Sequence, residues 1–170
     1  MSEIIRYAFG QSSLGDTFAA MSDGGIVAFE FGDDRAALLD RLRERFPDAQ
    51  LDEDRAGLAA TLDQLAAVVD APRREPGQDL ALDLRGTAYQ LRVWEMLRSI
   101  PAGETTTYGE IAARLGTPRD ARDATAAIAA NPVAILVPCH RVVKKDGTLS
   151  GYRWGFFRKR ALLARERDAA

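Results

Sequence analysis

The chain from Val133 to Val143 reads VAILVPCHRVV, and it contains the only cysteine and the only histidine among the 170 residues. The five apolar residues at its start predict a strand that runs through a hydrophobic core. Pro138 interrupts regular structure after them. Cys139 and His140 are therefore expected where the chain leaves the interior, so that the thiol is both fixed in position and reachable.

The adjacent thiol and imidazole point to nucleophilic chemistry. A free cysteine, with a pKa of roughly 8.5, is only a few per cent thiolate at neutral pH and needs a base. Neighbouring residues in a strand point to opposite faces, so we expect Cys139 and His140 in a turn or helix start, or bridged by water. A single cysteine excludes an internal disulfide, and one Cys with one His argues against a structural zinc site. No metal and no dissociable cofactor is expected. The alternative role for Cys139 is that of a small buried hydrophobe.

Short helices are predicted on the N-terminal side of this segment. Thr87 to Ile100 has a helical pattern. Thr107 and Glu110 have the spacing of a capping box for a helix that ends at Gly116. Thr117 and Pro118 then start a helix that continues to about Ala130. Two helices joined by a glycine turn have the outline of a helix-turn-helix, whose second helix contacts DNA.

The second of these helices is unusually rich in small side chains, and Arg122 stands among them. A helix with little side-chain bulk can bring its backbone close to another surface. Arg122 is a long, permanently charged side chain that can reach into such a partner. The alternative is close packing of helices inside the domain.

The first part of the chain predicts a small α+β domain with a short antiparallel sheet. Its elements are strands at 3–9, 17–21 and 26–31, a helix that Asp33 or Asp34 caps and that runs through Phe46, and a helix from about Asp54 to Val69. A polar linker with two prolines follows at 72–78. We therefore divide the chain into an N-terminal domain with its linker, 1–79, and a mostly helical domain, 80–170, which opens with a short strand at 80–84.

Charge is distributed unevenly along the sequence. The net charge is −2, but residues 1–138 carry 14 Lys and Arg against 22 Asp and Glu, whereas residues 139–170 carry 9 against 3. This asymmetry favours an anionic partner for the C-terminal part, although a solvated helix face is the alternative. No apolar run approaches the ~20 residues needed to cross a bilayer. No secretion signal is evident, so we expect a cytoplasmic protein without a membrane partner.

The segment from about Leu84 to Glu166 resembles the catalytic domain of the O6-alkylguanine-DNA alkyltransferases, also called methylguanine methyltransferases. Within that family it most resembles the alkyltransferase half of the bacterial adaptive-response protein, Ada. Pro-Cys-His-Arg is a highly specific motif at this location, and residues 1–79 match more loosely. The matching pieces are Val93-Trp94, Leu97, Ile100–Gly103, Thr107-Tyr108, Asn131-Pro132, Ile135–Val142 and Ser150–Gly155.

The resemblance implies five catalytic residues. Cys139 accepts the alkyl group, His140 acts as its base through an ordered water, and Glu166 orients the imidazole. Asn131 braces the turn between the second helix and the active-site strand. Tyr108 donates its hydroxyl proton to the base; otherwise it is a half-buried helix aromatic.

The resemblance also implies how the substrate is held. Arg122 fills the gap left by a flipped nucleotide, and further DNA contacts come from Thr107, Ala126 and Arg141. Carboxylates near phosphate are unfavourable, so Asp120 and Asp123 weaken DNA binding unless they point away. Backbone carbonyls near Cys139 and Val142 read the guanine amino group, and Trp154 narrows the pocket, so that methyl adducts are preferred to benzyl adducts. The pocket residues are Val142, Tyr152, Arg153 and Trp154.

The resemblance therefore implies a DNA-repair enzyme, a methylated-DNA–protein-cysteine S-methyltransferase. It transfers the alkyl group of O6-alkylguanine, with O4-alkylthymine as a further candidate, from double-stranded DNA to Cys139. A thioether has no easy leaving group, so each monomer reacts once. One alternative is a non-catalytic alkylated-DNA-binding protein of the alkyltransferase-like type, which Cys139 argues against. The other is a cysteine hydrolase, which would turn over many times.

Overall fold

The computed structural model describes residues 2–72, 80–116, 121–149 and 151–168. They form two compact units, one made of residues 2–70 and 80–84, the other of residues 71–72 and those described from 85 onward. The α+β class agrees with the expectation from sequence. None of the described helices has the length and apolarity needed to span a membrane.

The first unit is a four-stranded sheet with two helices. The strand order is β3-β2-β1-β4, with antiparallel pairs except for β4, which runs parallel to β1. The elements are β1 (Ile4–Ser12), β2 (Gly15–Ser22), β3 (Gly25–Phe31), α1 (Arg35–Arg45), β4 (Gln50–Glu53) and α2 (Arg55–Asp70). The predicted hairpin turn at 22–25 is confirmed. β4 was not predicted, because its four residues are mostly polar and become a strand only through pairing with β1.

The core of this unit lies between the sheet and α1. Ile5, Phe18 and Val27 are buried on the sheet side, and Leu38 and Leu42 face them from α1. These two leucines are four residues apart, the spacing that places side chains on one helix face. The helix begins where Asp34 accepts a hydrogen bond from the backbone N–H of Ala37 at 3.1 Å.

Residues 80–84 are fastened to the outer edge of β3. Ile26 donates a backbone hydrogen bond to Ala81 at 2.9 Å, and Asp83 donates one to Ile26 at 2.8 Å. Gly25 has a φ of 139°, and a Cβ there would lie 2.5 Å from the carbonyl oxygen of Ala81. This close pairing joins residues 80–84 to the first unit. Residues 80–84, which the sequence assigned to the second domain, therefore pack with the first unit.

The second unit is mostly helical. A single-turn 3₁₀ helix, Cys139–Arg141, precedes β6. The regular elements are α3 (Ala88–Arg98), β5 (Thr106–Thr107), α4 (Tyr108–Leu115), α5 (Ala121–Ala129), β6 (Val142–Val143) and α6 (Phe156–Asp168). Helices α3, α4 and α5 pack against one another. The buried indole of Trp94 donates to the carbonyl of Ala127 at 2.8 Å and so ties α3 to α5.

The ends of α4 show which local signals decide its limits. Thr107 accepts from the backbone N–H of Glu110 at 3.1 Å, and Gly116 ends the helix in the left-handed conformation, as predicted. The reciprocal half of the predicted capping box is wrong. The Glu110 carboxylate instead accepts from the hydroxyl of Thr106 at 2.8 Å, because that hydroxyl belongs to a buried residue and needs a partner. The predicted start of the next helix, Thr117-Pro118, lies outside the described residues.

Candidate active site

The segment from Val133 to Val137 is buried, but it is not the predicted strand. Leu136 donates to the carbonyl of Ala134 at 2.8 Å, and Ile135 has a positive φ of 69°, so the chain turns tightly. The cause is the preceding side chain. Asn131 accepts from the N–H of Val133 at 2.9 Å and donates to the carbonyl of Val137 at 2.8 Å. The Asn131 amide thus pairs with two of the backbone groups that a strand would pair with a neighbour, and the N–H groups of Leu136 and Val137 donate to carbonyls within the turn.

Cys139 begins the 3₁₀ turn, which agrees with the expected turn or helix start. Arg141 donates a backbone hydrogen bond to the carbonyl of Pro138 at 3.0 Å. Cys139 is 6% exposed, and the Asn131 amide donates to its Sγ atom at 3.3 Å. Burial raises the pKa of the Cys139 thiol to about 11, although the hydrogen bond from Asn131 acts in the opposite direction. At neutral pH the resting sulfur is therefore a thiol.

His140 and Glu166 form a buried pair. The Nε2 atom of His140 lies 2.6 Å from Oε1 of Glu166, and neither residue is exposed to solvent. Burial lowers the pKa of His140 below its ordinary value despite the carboxylate. Burial alone would raise the pKa of Glu166, but hydrogen bonds from His140 and Arg141 lower it. We assign a neutral imidazole that donates from Nε2 to a carboxylate, which leaves Nδ1 as an acceptor. Within the described parts of the chain, Nδ1 has no hydrogen-bond partner.

Arg141 does not have the exposure that its expected DNA contact requires. Its residue is 8% exposed, and its Nε and Nη2 atoms donate to the Glu166 carboxylate at distances of 2.8 to 3.2 Å. Its Nη1 atom donates to the carbonyl of Ile100 at 2.7 Å. The guanidinium is thus used inside the protein to balance the buried carboxylate. The expectation of a DNA contact is corrected accordingly.

Lys159 belongs to the site, but this role was not predicted from the sequence. It is fully buried on α6, and its Nζ atom donates to the carbonyl of Val142 at 2.6 Å. Burial lowers the pKa of its ammonium to about 8. The available signal was helical spacing, because Lys159, Leu162 and Glu166 lie three and four residues apart and share the buried face of α6. The Val142 carbonyl, expected to read guanine, therefore already holds this lysine.

A cavity of about 450 Å³ opens beside Cys139. Three expected residues, Tyr108, Tyr152 and Arg153, line it, but Val142 and Trp154 do not. Trp154 is 5% exposed and packs edge-on against the Tyr152 ring with the centroids 5.3 Å apart. It supports the pocket wall from behind, which corrects its expected place inside the pocket. The other residues that line the cavity were not predicted as pocket residues from the sequence. They are Thr125, Ile128, Ala129, Lys144 and Gly151.

The exposed side of α5 lies next to this cavity. Arg122 and Ala126 are exposed and lie four residues apart on one helix face, whereas Ala124 and Ala127 are buried on the other. Asp123 is also exposed, but it follows Arg122 directly and so lies about 100° around the helix from it. Asp120 lies outside the described residues. Thr107, another expected DNA contact, is half-buried at the cap of α4.

The chain is similar in sequence and structure to known proteins. The family model described as "6-O-methylguanine DNA methyltransferase, DNA binding domain" matches residues 88–168. A methylated-DNA–protein-cysteine methyltransferase of Mycobacterium tuberculosis is 48% identical over 117 residues, which cover 69% of this chain and 70% of that protein. The chain belongs to the 6-O-methylguanine DNA methyltransferase family. The region matched by the methyltransferase model contains Asn131, Cys139, His140, Lys159 and Glu166.

Longer relatives and a solved structure extend this result. The Escherichia coli protein named "Bifunctional transcriptional activator/DNA repair enzyme Ada" is 44% identical over 164 residues, which are 96% of this chain but 46% of Ada. This methyltransferase-family chain thus spans about half the length of the first curated relatives that it matches. The crystal structure of Mycobacterium tuberculosis OGT in complex with DNA superposes with a TM-score of 0.77 at 36% identity, covering 97% of this chain and 94% of that one.

Proposed function

We propose that this protein repairs DNA as a methylated-DNA–protein-cysteine methyltransferase. It takes the alkyl group from the O6 atom of alkylguanine and keeps it on Cys139. The observation that carries the proposal is that the only sulfur nucleophile of the chain lines a cavity whose volume falls in the range of small-molecule sites. The names of the related methyltransferases and the DNA complex of a similar protein support the same conclusion.

The chemical step exchanges a proton for an alkyl group. The sulfur of Cys139 attacks the alkyl carbon on the side opposite the O6 atom, so that a carbon–sulfur bond forms as the carbon–oxygen bond breaks. The thiol proton leaves toward Nδ1 of His140, directly or through a water, and Glu166 stabilises the resulting imidazolium. The guanine receives the electron pair of the broken bond and a proton delivered from Tyr108. The imidazolium of His140 then returns its proton through solvent to the Tyr108 phenolate. The products are an S-alkyl cysteine and an unmodified base, with both side chains in their starting protonation states.

The environment of the thiol suits a reaction that begins only with substrate in place. Because burial raises the pKa of Cys139 to about 11, the proton has to leave as the alkyl group transfers rather than beforehand. No second cysteine exists to resolve the thioether, so each molecule reacts once. O4-alkylthymine carries the same kind of alkyl–oxygen bond and is a further candidate substrate.

The DNA-facing surface in this proposal is the exposed side of α5. We propose that α4 and α5 act as a helix-turn-helix and that α5 approaches the duplex with its small residues, such as Ala126. The target oxygen is inaccessible inside a stacked duplex, so the nucleotide has to flip out, at a cost of a few kcal/mol. Arg122 on the same face takes the place of the flipped base. The protein acts as a monomer on double-stranded DNA.

Intact mass spectrometry tests the proposal directly. After incubation with a duplex containing O6-methylguanine, the protein should gain one methyl group in place of a hydrogen, with an end point of one per chain. The Cys139→Ser variant should keep its mass while still binding the lesion. A protein that binds the damaged duplex but never changes mass would instead be a non-catalytic lesion binder. Release of many products per chain would indicate a hydrolase.

A further inference from the structure

Two separate parts of the chain contribute to the walls of the cavity beside Cys139. The last turns of α5 supply Thr125, Ile128 and Ala129, and the loop that precedes α6 supplies Gly151–Arg153. The Arg153 side chain reaches from this loop to the end of α5. Its Nη1 atom donates to the backbone carbonyl of Asn131 at 2.9 Å and lies 3.4 Å from that of Ala130.

The guanidinium is also supported on its other side. Its Cζ atom lies 5.4 Å from the centroid of the buried Trp154 ring, within cation–π range. Trp154 in turn packs edge-on against Tyr152, which lines the cavity. The backbone carbonyl of Trp154 accepts from the Nη1 atom of Arg158 at 2.8 Å. Arg153, although exposed, therefore contacts both the backbone carbonyls after α5 and the ring of Trp154.

These contacts match what only a guanidinium supplies. Ala130 and Asn131 directly follow α5, which ends at Ala129, and the C-terminal end of a helix favours a cation nearby. A planar, delocalised cation can donate hydrogen bonds in its plane while stacking its face on an indole, and an ammonium cannot do both. Gly155, just after this loop, has a φ of 101°, a conformation that favours glycine. The contacts of Arg153 join the loop to the residues that follow α5.

We propose that Arg153 is a positioning residue that sets which adducts the cavity admits, by tying its two walls together. The sequence analysis expected a preference for methyl over benzyl adducts because of Trp154 in the pocket. In this proposal, the preference depends on the contacts of Arg153 with the carbonyls that follow α5, and Trp154 packs against Arg153. This inference rests on the proposed function. Removing the tie widens the cavity, so that a benzyl group enters more readily, while a methyl group is aligned less well with the sulfur.

The test compares two adducts in one DNA sequence. Duplexes that differ only in carrying O6-methylguanine or O6-benzylguanine are reacted with the wild type, Arg153→Ser and Arg153→Lys, and the rates are read from intact mass. The benzyl-to-methyl rate ratio cancels any change in DNA affinity. We expect Arg153→Ser to raise this ratio about tenfold or more, a range typical of pocket fit. Arg153→Lys should fall between the two, and Arg167→Ser, an exposed Arg at the end of α6, should leave the ratio unchanged.

The possible outcomes separate the two proposals. If the wild type accepts neither group, the proposed function fails. If the wild type accepts methyl but both rates fall equally in Arg153→Ser, Arg153 serves DNA binding or stability and the tie is refuted. A thermal unfolding scan of each variant shows whether the fold is retained. Should Arg153→Ser not fold, the ratio for Arg153→Lys decides, and a wild-type ratio there overturns the inference.

Discussion

Raising the pH from 7 to 9 should accelerate alkylation of Cys139 by iodoacetamide about a hundredfold, because the reagent attacks the thiolate. With the pKa of the thiol at about 11, the folded protein is a thiol throughout this range. Thiolate makes up about one part in ten thousand at pH 7 and about one part in a hundred at pH 9, since each unit below the pKa lowers it tenfold. The sign follows from burial, which disfavours the charged form.

The assay is the rate of mass gain at a series of pH values, and the single cysteine makes the result unambiguous. The Cys139→Ser variant corrects for reaction at lysines. The chain unfolded in urea is the matched reference, and its rate should level off near an ordinary thiol pKa of roughly 8.5. A folded-state rate that stops rising below pH 8 would refute the reasoning. It would mean that Cys139 rests as a thiolate paired with a protonated His140.

Four further predictions concern side chains around the site. Asn131→Ala should lower the free energy of unfolding in urea by about 2 kcal/mol, because it leaves the buried N–H of Val133 without its partner and removes one of the two hydrogen bonds to the Val137 carbonyl; a loss below about 1 kcal/mol would contradict this. Glu166→Gln should cost about 3 to 5 kcal/mol by leaving the buried Arg141 uncompensated, and methyl transfer should slow with lesion binding intact; wild-type stability and rate would count against the pairing. Arg122→Ala should slow repair of duplex DNA more than reaction with the free modified base, and equal losses would exclude its insertion into the stack. Ala126→Glu should weaken duplex binding in an anisotropy titration while stability stays within about 0.5 kcal/mol; unchanged binding would remove the exposed face of α5 from the DNA interface.

Local signals in the sequence predicted the elements whose ends are decided by nearby residues. Asp34 caps α1, Thr107 caps α4, and Gly116 ends α4, each through contacts within a few residues. The hairpin at 22–25 is equally local. Patterns of this kind depend on backbone chemistry that a short window of sequence contains.

The prediction of a strand before Cys139 was wrong because the conformation of this segment depends on contacts that its own apolar pattern does not contain. An apolar run indicates burial, and Val133 to Val137 is buried. It does not indicate which groups pair with the backbone N–H and C=O groups of the run. Here the Asn131 side chain pairs with two of them. β4 is the reverse case, because a mostly polar stretch becomes a strand through its pairing with β1. Both results depend on partners that only the folded chain brings together.

The count of charged residues predicted a basic C-terminal part. It could not predict which of the Lys and Arg side chains face solvent and which are buried inside the protein. Of the nine Lys and Arg after residue 138, Arg141 and Lys159 are buried and hold the site together. Arg153 donates to backbone carbonyls at the pocket wall. A long aliphatic stem lets a charged group reach a distant acceptor inside the protein, so the sequence position alone does not separate a DNA contact from an internal one.

The burial of Cys139 has a consequence for how long the protein persists unreacted in the cell. Peroxides and stray electrophiles consume thiolates far faster than thiols. Because Cys139 is 6% exposed and burial raises the pKa of its thiol, the sulfur is shielded from both. For the single-use repair protein proposed above, this shielding preserves the unreacted acceptor until a substrate base enters the cavity.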